Sequence, residues 1–126
     1  MAHTVKIGIT SYANIKARTI AIAKGKLKPR PDEPKVWITS FKSLASALSE
    51  ENQELLKVIR ERHPESIAEL AEITGRKTSN LSRTLKTLER CGIVALKESH
   101  AKRQPGGRAA VKPVVLGERF DFEFML

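Results

Sequence analysis

The stretch GRKTSNLSRTLKTLERCG, Gly75–Gly92, decides the fold. Nearly every position in it that is not Leu carries a basic or hydroxyl side chain. At 3.6 residues per turn, Leu81, Leu85 and Leu88 fall within about 60° of one another and predict a core-facing stripe. The opposite side holds Arg76, Ser79, Arg83, Lys86 and Arg90, with Ser82 on one flank and Asn80 and Thr87 on the other. Only Glu89 interrupts the bases. Like charges three or four residues apart repel by a few tenths of a kcal/mol per pair. Such a face is tolerable where a phosphate backbone neutralises it. The alternative is a solvated basic surface in which Thr78 or Ser79 merely caps the helix.

Upstream, two further helices are punctuated. Ser49 precedes EENQELLKVIRER, whose Glu50 and Glu51 suit the positive N-terminus and whose Arg60 and Arg62 suit the negative end. His63-Pro64 stops that helix. Ser66 with Glu69 three residues on reads as a capping box, with Ile67, Leu70, Ala71 and Ile73 inward. Thr74-Gly75 is the turn into the third helix, which ends at Gly92. Ile93-Val94-Ala95-Leu96 then begins a strand, HAKRQPGGRA forms a basic turn and Val111 to Leu116 returns. Three helices with a short middle one, a Gly turn and a β-hairpin are the order of a winged helix-turn-helix.

Before this unit, Val5, Ile7 and Ile9 alternate with Lys6, Gly8 and Thr10 as in a half-buried strand. Ser11 caps a helix with Tyr12, Ile15, Thr19 and Ile22 near one face and Gly25 as its stop. KLKPRPDEP is a linker that its prolines keep from being helical. Val36 to Thr39 is a short strand, and Phe41, Leu44 and Leu48 repeat at helical spacing after Ser40. At the other end, RFDFEFML sets Phe120, Phe122 and Phe124 on one face of a strand. That strand either closes the sheet or pairs with Val5–Ile9, or else offers a surface to a second copy or a partner protein. The expected class is mainly α with a small β part (α+β). Residues 1–40 are a strand-helix extension and linker; residues 41–126 are the winged helix-turn-helix with a C-terminal strand.

The chain of 126 residues has a formal net charge of +9, distributed in blocks. Residues 1–30 contain no acid and carry +7, residues 31–75 carry −4, residues 76–117 carry +8 and the tail carries −2. A polyanionic partner is the expectation. The acid-free first 30 residues are either a second DNA contact or a surface for an acidic partner. Cys91 is the single cysteine, which excludes an intrachain disulfide and a Cys-based zinc cluster and fits a reducing compartment. No apolar run approaches the roughly 18–20 residues of a membrane span, and no secretory signal is legible, so the expected location is the cytoplasm. His3, His63 and His100 are isolated from ligand-spaced partners. No nucleophile-base pattern, P-loop or dinucleotide fingerprint occurs, so neither enzyme activity, cofactor nor metal is expected.

A helix entering the major groove brings its first turns closest to the base edges. Thr78, Ser79, Ser82 and Arg83 are therefore assigned to base readout, with Asn80 as a lesser candidate. Arg76, Lys77, Lys86 and Arg90 are assigned to phosphates, which position without reading sequence. In the hairpin, Lys102, Arg103 and Arg108 surround Gly106-Gly107 and read as a wing on the DNA backbone or narrow groove; otherwise they are a solvated turn.

TGRKTSNLSRTLKTLERCGIVALKE resembles the recognition helix and first wing strand of MarR/ArsR-type winged-helix transcription regulators, with Leu-Ser-Arg-x-Leu-x-x-Leu followed by Gly and a strand. That resemblance covers residues 49–116. More of the chain, notably KARTIAIAKG, DEPKVWITSFKSLASALSEENQELL and IAELAEITGRKTSNLSRTL, is similar to a narrower group of small prokaryotic DNA-binding regulators often encoded beside small toxins and regarded as their antitoxins. The resemblance implies DNA contact for Ser79, Ser82, Arg83 and Lys86. The ligand and metal sites of the MarR/ArsR type do not carry over, because no matching Cys or His cluster is present. The resulting expectation is a dimeric repressor that places helix 77–91 in the major groove of double-stranded DNA and the wing, residues 100–109, on the backbone. The alternatives are an antitoxin that sequesters a cognate toxin and autoregulates its operon, or a sequence-neutral architectural binder.

Overall fold

The computed structural model describes residues 3–98 and 110–126. In chain order the elements are β1 (Thr4–Ile9), α1 (Tyr12–Ala23), β2 (Val36–Ile38), α2 (Phe41–Ala47), α3 (Glu50–Arg62), α4 (Ile67–Thr74), α5 (Thr78–Arg90), β3 (Val94–Glu98), β4 (Val111–Val115) and β5 (Arg119–Phe124). The class is α+β. Helices α3, α4 and α5 followed by the antiparallel pair β3–β4 make the winged helix-turn-helix, and β1, β2 and β5 form a separate parallel sheet in the order β2-β1-β5.

The helix ends follow the chemistry read from the residues. Ser11, Ser40, Ser49 and Ser66 each accept a hydrogen bond from the backbone N–H three residues on, which satisfies one of the open donors of the first turn. The capping box at Ser66 is shifted by one residue: the Glu69 carboxylate accepts from the Glu65 N–H. Helix α3 stops on His63 in the left-handed region (φ 47°), immediately before Pro64. Gly75 (φ 74°) makes the turn from α4 to α5, and Gly92 (φ 81°) turns the chain from α5 to β3. Both use a conformation that costs an L side chain about 1–2 kcal/mol.

Leu81, Leu85 and Leu88 are completely buried, as the wheel predicts. They pack in one cluster with Leu55 and Ile59 of α3, Leu70 of α4, Ile93 and Val94 after the Gly92 turn, and Leu44 and Ala47 of α2. Ile7 and Ile9 of β1 belong to the same cluster. The N-terminal strand therefore shares its core with the helices that follow.

The strand 119–124 resolves one alternative left open by the sequence. It pairs in parallel with β1, with Val5 opposite Phe120, Ile7 opposite Phe122 and Ile9 opposite Phe124. Of the three, Phe120 packs on the core, while Phe122 and Phe124 are 39% and 68% exposed on the edge strand β5.

Tyr12 of α1 and Phe41 of α2 stay exposed. No residue of α1 is buried, and Tyr12 is 70% exposed. The sheet surface on that side is already covered by Trp37, whose ring lies across Gly8. Arg18 of α1 stacks on the ring at 5.3 Å from its centroid and pairs with Glu33 of the linker. Helix α1 is thus held by a stacked guanidinium and an ion pair rather than by a leucine-like seam. Phe41 is 63% exposed because it stands in the first turn of a seven-residue helix, while Leu44 one turn later is buried.

The contact at Gly8 is demanding, since a Cβ there would lie 2.3 Å from the Trp37 ring. Gly8→Ala is expected to lower stability by about 1–3 kcal/mol. Because Trp37 is the only tryptophan, its fluorescence should shift in the native state and report the loss in a urea titration.

Candidate nucleic-acid interface

With three leucines fixing its inner side, α5 can present only one face outward. Lys77, Thr78, Ser79, Asn80, Arg83, Lys86 and Arg90 are all exposed there, and Ser82 is half-buried. Among the described residues, none of Lys77, Arg83, Lys86 and Arg90 forms an ion pair. Elsewhere bases do find acids: Lys112 of β4 bonds Glu65 at 2.9 Å and Arg60 of α3 bonds Glu118 at 3.0 Å.

The start of α5 differs from the other helix starts. Lys77 is the cap residue and no side chain caps the helix, so neither Thr78 nor Ser79 is occupied in capping. No acid lies in the first turn. The hydroxyls of Thr78, Ser79 and Ser82 are available at the end of the helix where the backbone dipole is positive.

Arg76, expected on a phosphate, has its guanidinium engaged within the fold. It donates to Asn80 Oδ1 at 2.7 and 3.0 Å, to Asn52 Oδ1 at 3.4 Å and to Thr84 Oγ1 at 3.4 Å. Asn52 in turn donates through Nδ2 to the Ala47 carbonyl at 3.0 Å. Arg76 therefore ties the end of α2 and the start of α3 to α5, a task suited to a planar fork with several fixed donors. The same bonds hold the Asn80 carbonyl oxygen, leaving its amide NH₂ as the group able to reach outward. Thr87 donates its hydroxyl to the Arg83 carbonyl one turn back.

Lys102, Arg103 and Arg108, together with Gly106-Gly107 and His100, lie outside the described residues. The strands that carry the hairpin pair from Val94 opposite Val115 to Glu98 opposite Val111. Cys91 is buried at the end of α5, where burial pushes its thiol above the ordinary value and Arg90 acts in the opposite direction. Among the described residues, no group of three or more His, Cys, Asp or Glu could hold a metal ion, and no helix is long and apolar enough to cross a membrane.

Sequence reasoning did not single out α2, which lines a groove with α5. Lys42, Ser43 and Ser46 stand beside Arg83, Thr84 and Thr87 across a groove. A signal was present: between Pro34 and Ser49 the chain has Lys35 and Lys42 and no acid.

These elements define a winged helix-turn-helix protein whose third helix carries an uncompensated basic and hydroxyl face. Residues 47–118 match the HVO_A0114 family, and since they make up more than half of the chain, the protein belongs to that family. Neither a curated protein nor a solved structure matches the chain.

The Arg76 network separates positioning from binding. Arg76→Ala is expected to cost about 1–3 kcal/mol through lost charged hydrogen bonds. Arg83→Ala and Lys86→Ala, on an exposed face, should stay within about 0.5 kcal/mol of the parent. Guanidinium chloride unfolding of the three variants checks this; equal midpoints would remove Arg76 from its positioning role.

Proposed function

We propose that this protein is a non-enzymatic, sequence-specific regulator of transcription, acting as a dimeric repressor in the cytoplasm and binding double-stranded DNA through α5. The observation that carries the reading is the outward face of α5, where Lys77, Arg83, Lys86 and Arg90 have no acidic partner among the described residues. An uncapped, acid-free first turn with exposed Thr78 and Ser79 stands beside them. In the major groove, Thr78, Ser79, Ser82 and Arg83 meet base edges, while Lys77, Lys86 and Arg90 meet phosphates. The hairpin bases Lys102, Arg103 and Arg108 extend the contact along the backbone. A two-fold dimer requires half-sites about 34–36 Å apart or a multiple of that spacing.

Selection of bound duplexes from a random pool, followed by fluorescence anisotropy, tests the reading. Arg83→Ala should lower affinity and relax selectivity at one position. Lys86→Ala should weaken all duplexes alike and reduce the salt slope by about 1. Affinity unchanged in both variants would refute the placement of α5.

A second reading, an antitoxin that sequesters a toxin and represses its own operon, is favoured by the edge strand β5. There Phe124 and Leu126 are 68% and 97% exposed. Co-expression with the product of the neighbouring gene should yield one complex on gel filtration. That complex should weaken in Phe124→Ser, whereas separate elution of the two proteins would exclude this reading.

A further inference from the structure

The surface beside α5 holds a second basic feature. A groove of about 410 Å³ runs between α2 and α5, lined by Lys42, Ser43 and Ser46 on one wall and by Arg83, Thr84 and Thr87 on the other. Through Ser43 and Thr87 it continues into a second depression of about 450 Å³ that reaches Arg90. No carboxylate lines either part. Lys42 forms no ion pair, and the hydroxyls of Ser43 and Ser46 make no hydrogen bond, among the described residues. Three cations and two free hydroxyl donors therefore line one continuous concavity. A cleft lined by one sign of charge concentrates its field and draws the opposite charge in.

The occupant follows from the position of the groove. Arg83 belongs both to its wall and to the outward face of α5, so anything seated in the groove lies along the flank of whatever α5 enters. The flank of a major groove is a phosphodiester backbone, which is met by spaced cations and short donors. We propose that the α2–α5 groove seats one strand of the DNA backbone, with Lys42 and the hydroxyls of Ser43 and Ser46 contacting successive phosphates. This rests on the DNA-binding reading of α5 and extends the interface to a helix that precedes the winged-helix core.

The test uses the full chain and the duplex selected above. Lys42→Ala should weaken that duplex and an unrelated one by the same factor, about fivefold, with a salt slope shallower by about 1. Ser46→Asp, which sets a carboxylate in the groove, should weaken both further. Phosphate ethylation interference should lose one or two positions in Lys42→Ala, next to those lost in Lys86→Ala. If the parent binds DNA with its full salt dependence and Lys42→Ala and Ser46→Asp leave affinity and slope unchanged, the groove proposal is overturned while the α5 reading stands. If the parent binds no duplex, both fall. Unchanged DNA binding together with weakened binding of polyglutamate in Lys42→Ala would overturn the proposal in favour of an acidic protein partner.

Discussion

The burial of Leu81, Leu85 and Leu88 is the constraint from which the other features follow. Each is fully removed from water against side chains of α3 and α4 and the strand after Gly92. Each such burial is worth about 1.5–3 kcal/mol. That term far exceeds the few tenths of a kcal/mol per pair by which the bases opposite repel one another. The inner face therefore determines whether and where α5 forms, and places little constraint on the residues of the outer face. A helix stabilised by its own surface ion pairs would not have that freedom.

Arg76 adds orientation to this seating. Leucine packing fixes which side of α5 faces inward but is tolerant of small rotations and slides, since apolar contacts are non-directional. Hydrogen bonds from one guanidinium to Asn52, Asn80 and Thr84 are directional and couple α5 to the start of α3. Through Asn52 and the Ala47 carbonyl the coupling reaches α2. The two walls of the α2–α5 groove are thus registered by the same residue that fixes the outward face.

Much of this was legible in the residues. The four capping serines, the stop at His63-Pro64 and the glycines at 75 and 92 mark helix limits through local chemistry, and local chemistry is what a sequence states directly. The leucine stripe was legible for the same reason. What was not legible depended on partners distant in the chain. The pairing of β5 with β1 joins segments more than a hundred residues apart, and the alternation of Phe120, Phe122 and Phe124 is equally compatible with several neighbours. Helix α1 buries none of its residues, and the position of Trp37, brought across Gly8 by the parallel pairing of β1 with β2, was not legible either. The hydrogen bonds of Arg76 to two asparagines were not legible either, because charge alone does not show what a base is bonded to. The groove was missed because α2 and α5 are brought together only by the fold.

The distribution of ion pairs gives the outward face of α5 its meaning. A chain with 23 bases and 14 acids cannot pair every base, so unpaired lysines alone would carry little weight. The pairs that do form include several that join distant parts of the chain. Arg18 finds Glu33, Arg60 finds Glu118 and Lys112 finds Glu65, each across different parts of the chain, where the fold brings elements together. Along α5 and across the groove to Lys42, acids are nearly absent from the sequence as well as from the contacts, Glu89 being the exception. Random scatter of charge would place carboxylates beside some of these bases at helical spacing, as happens for Lys57 and Glu54 on α3. With Glu89, three residues from Lys86, as the single acid of α5, most of the cost of gathering like charges is uncompensated inside the free protein. A polyanion bound along that surface removes this cost, and releases its own counterions in doing so.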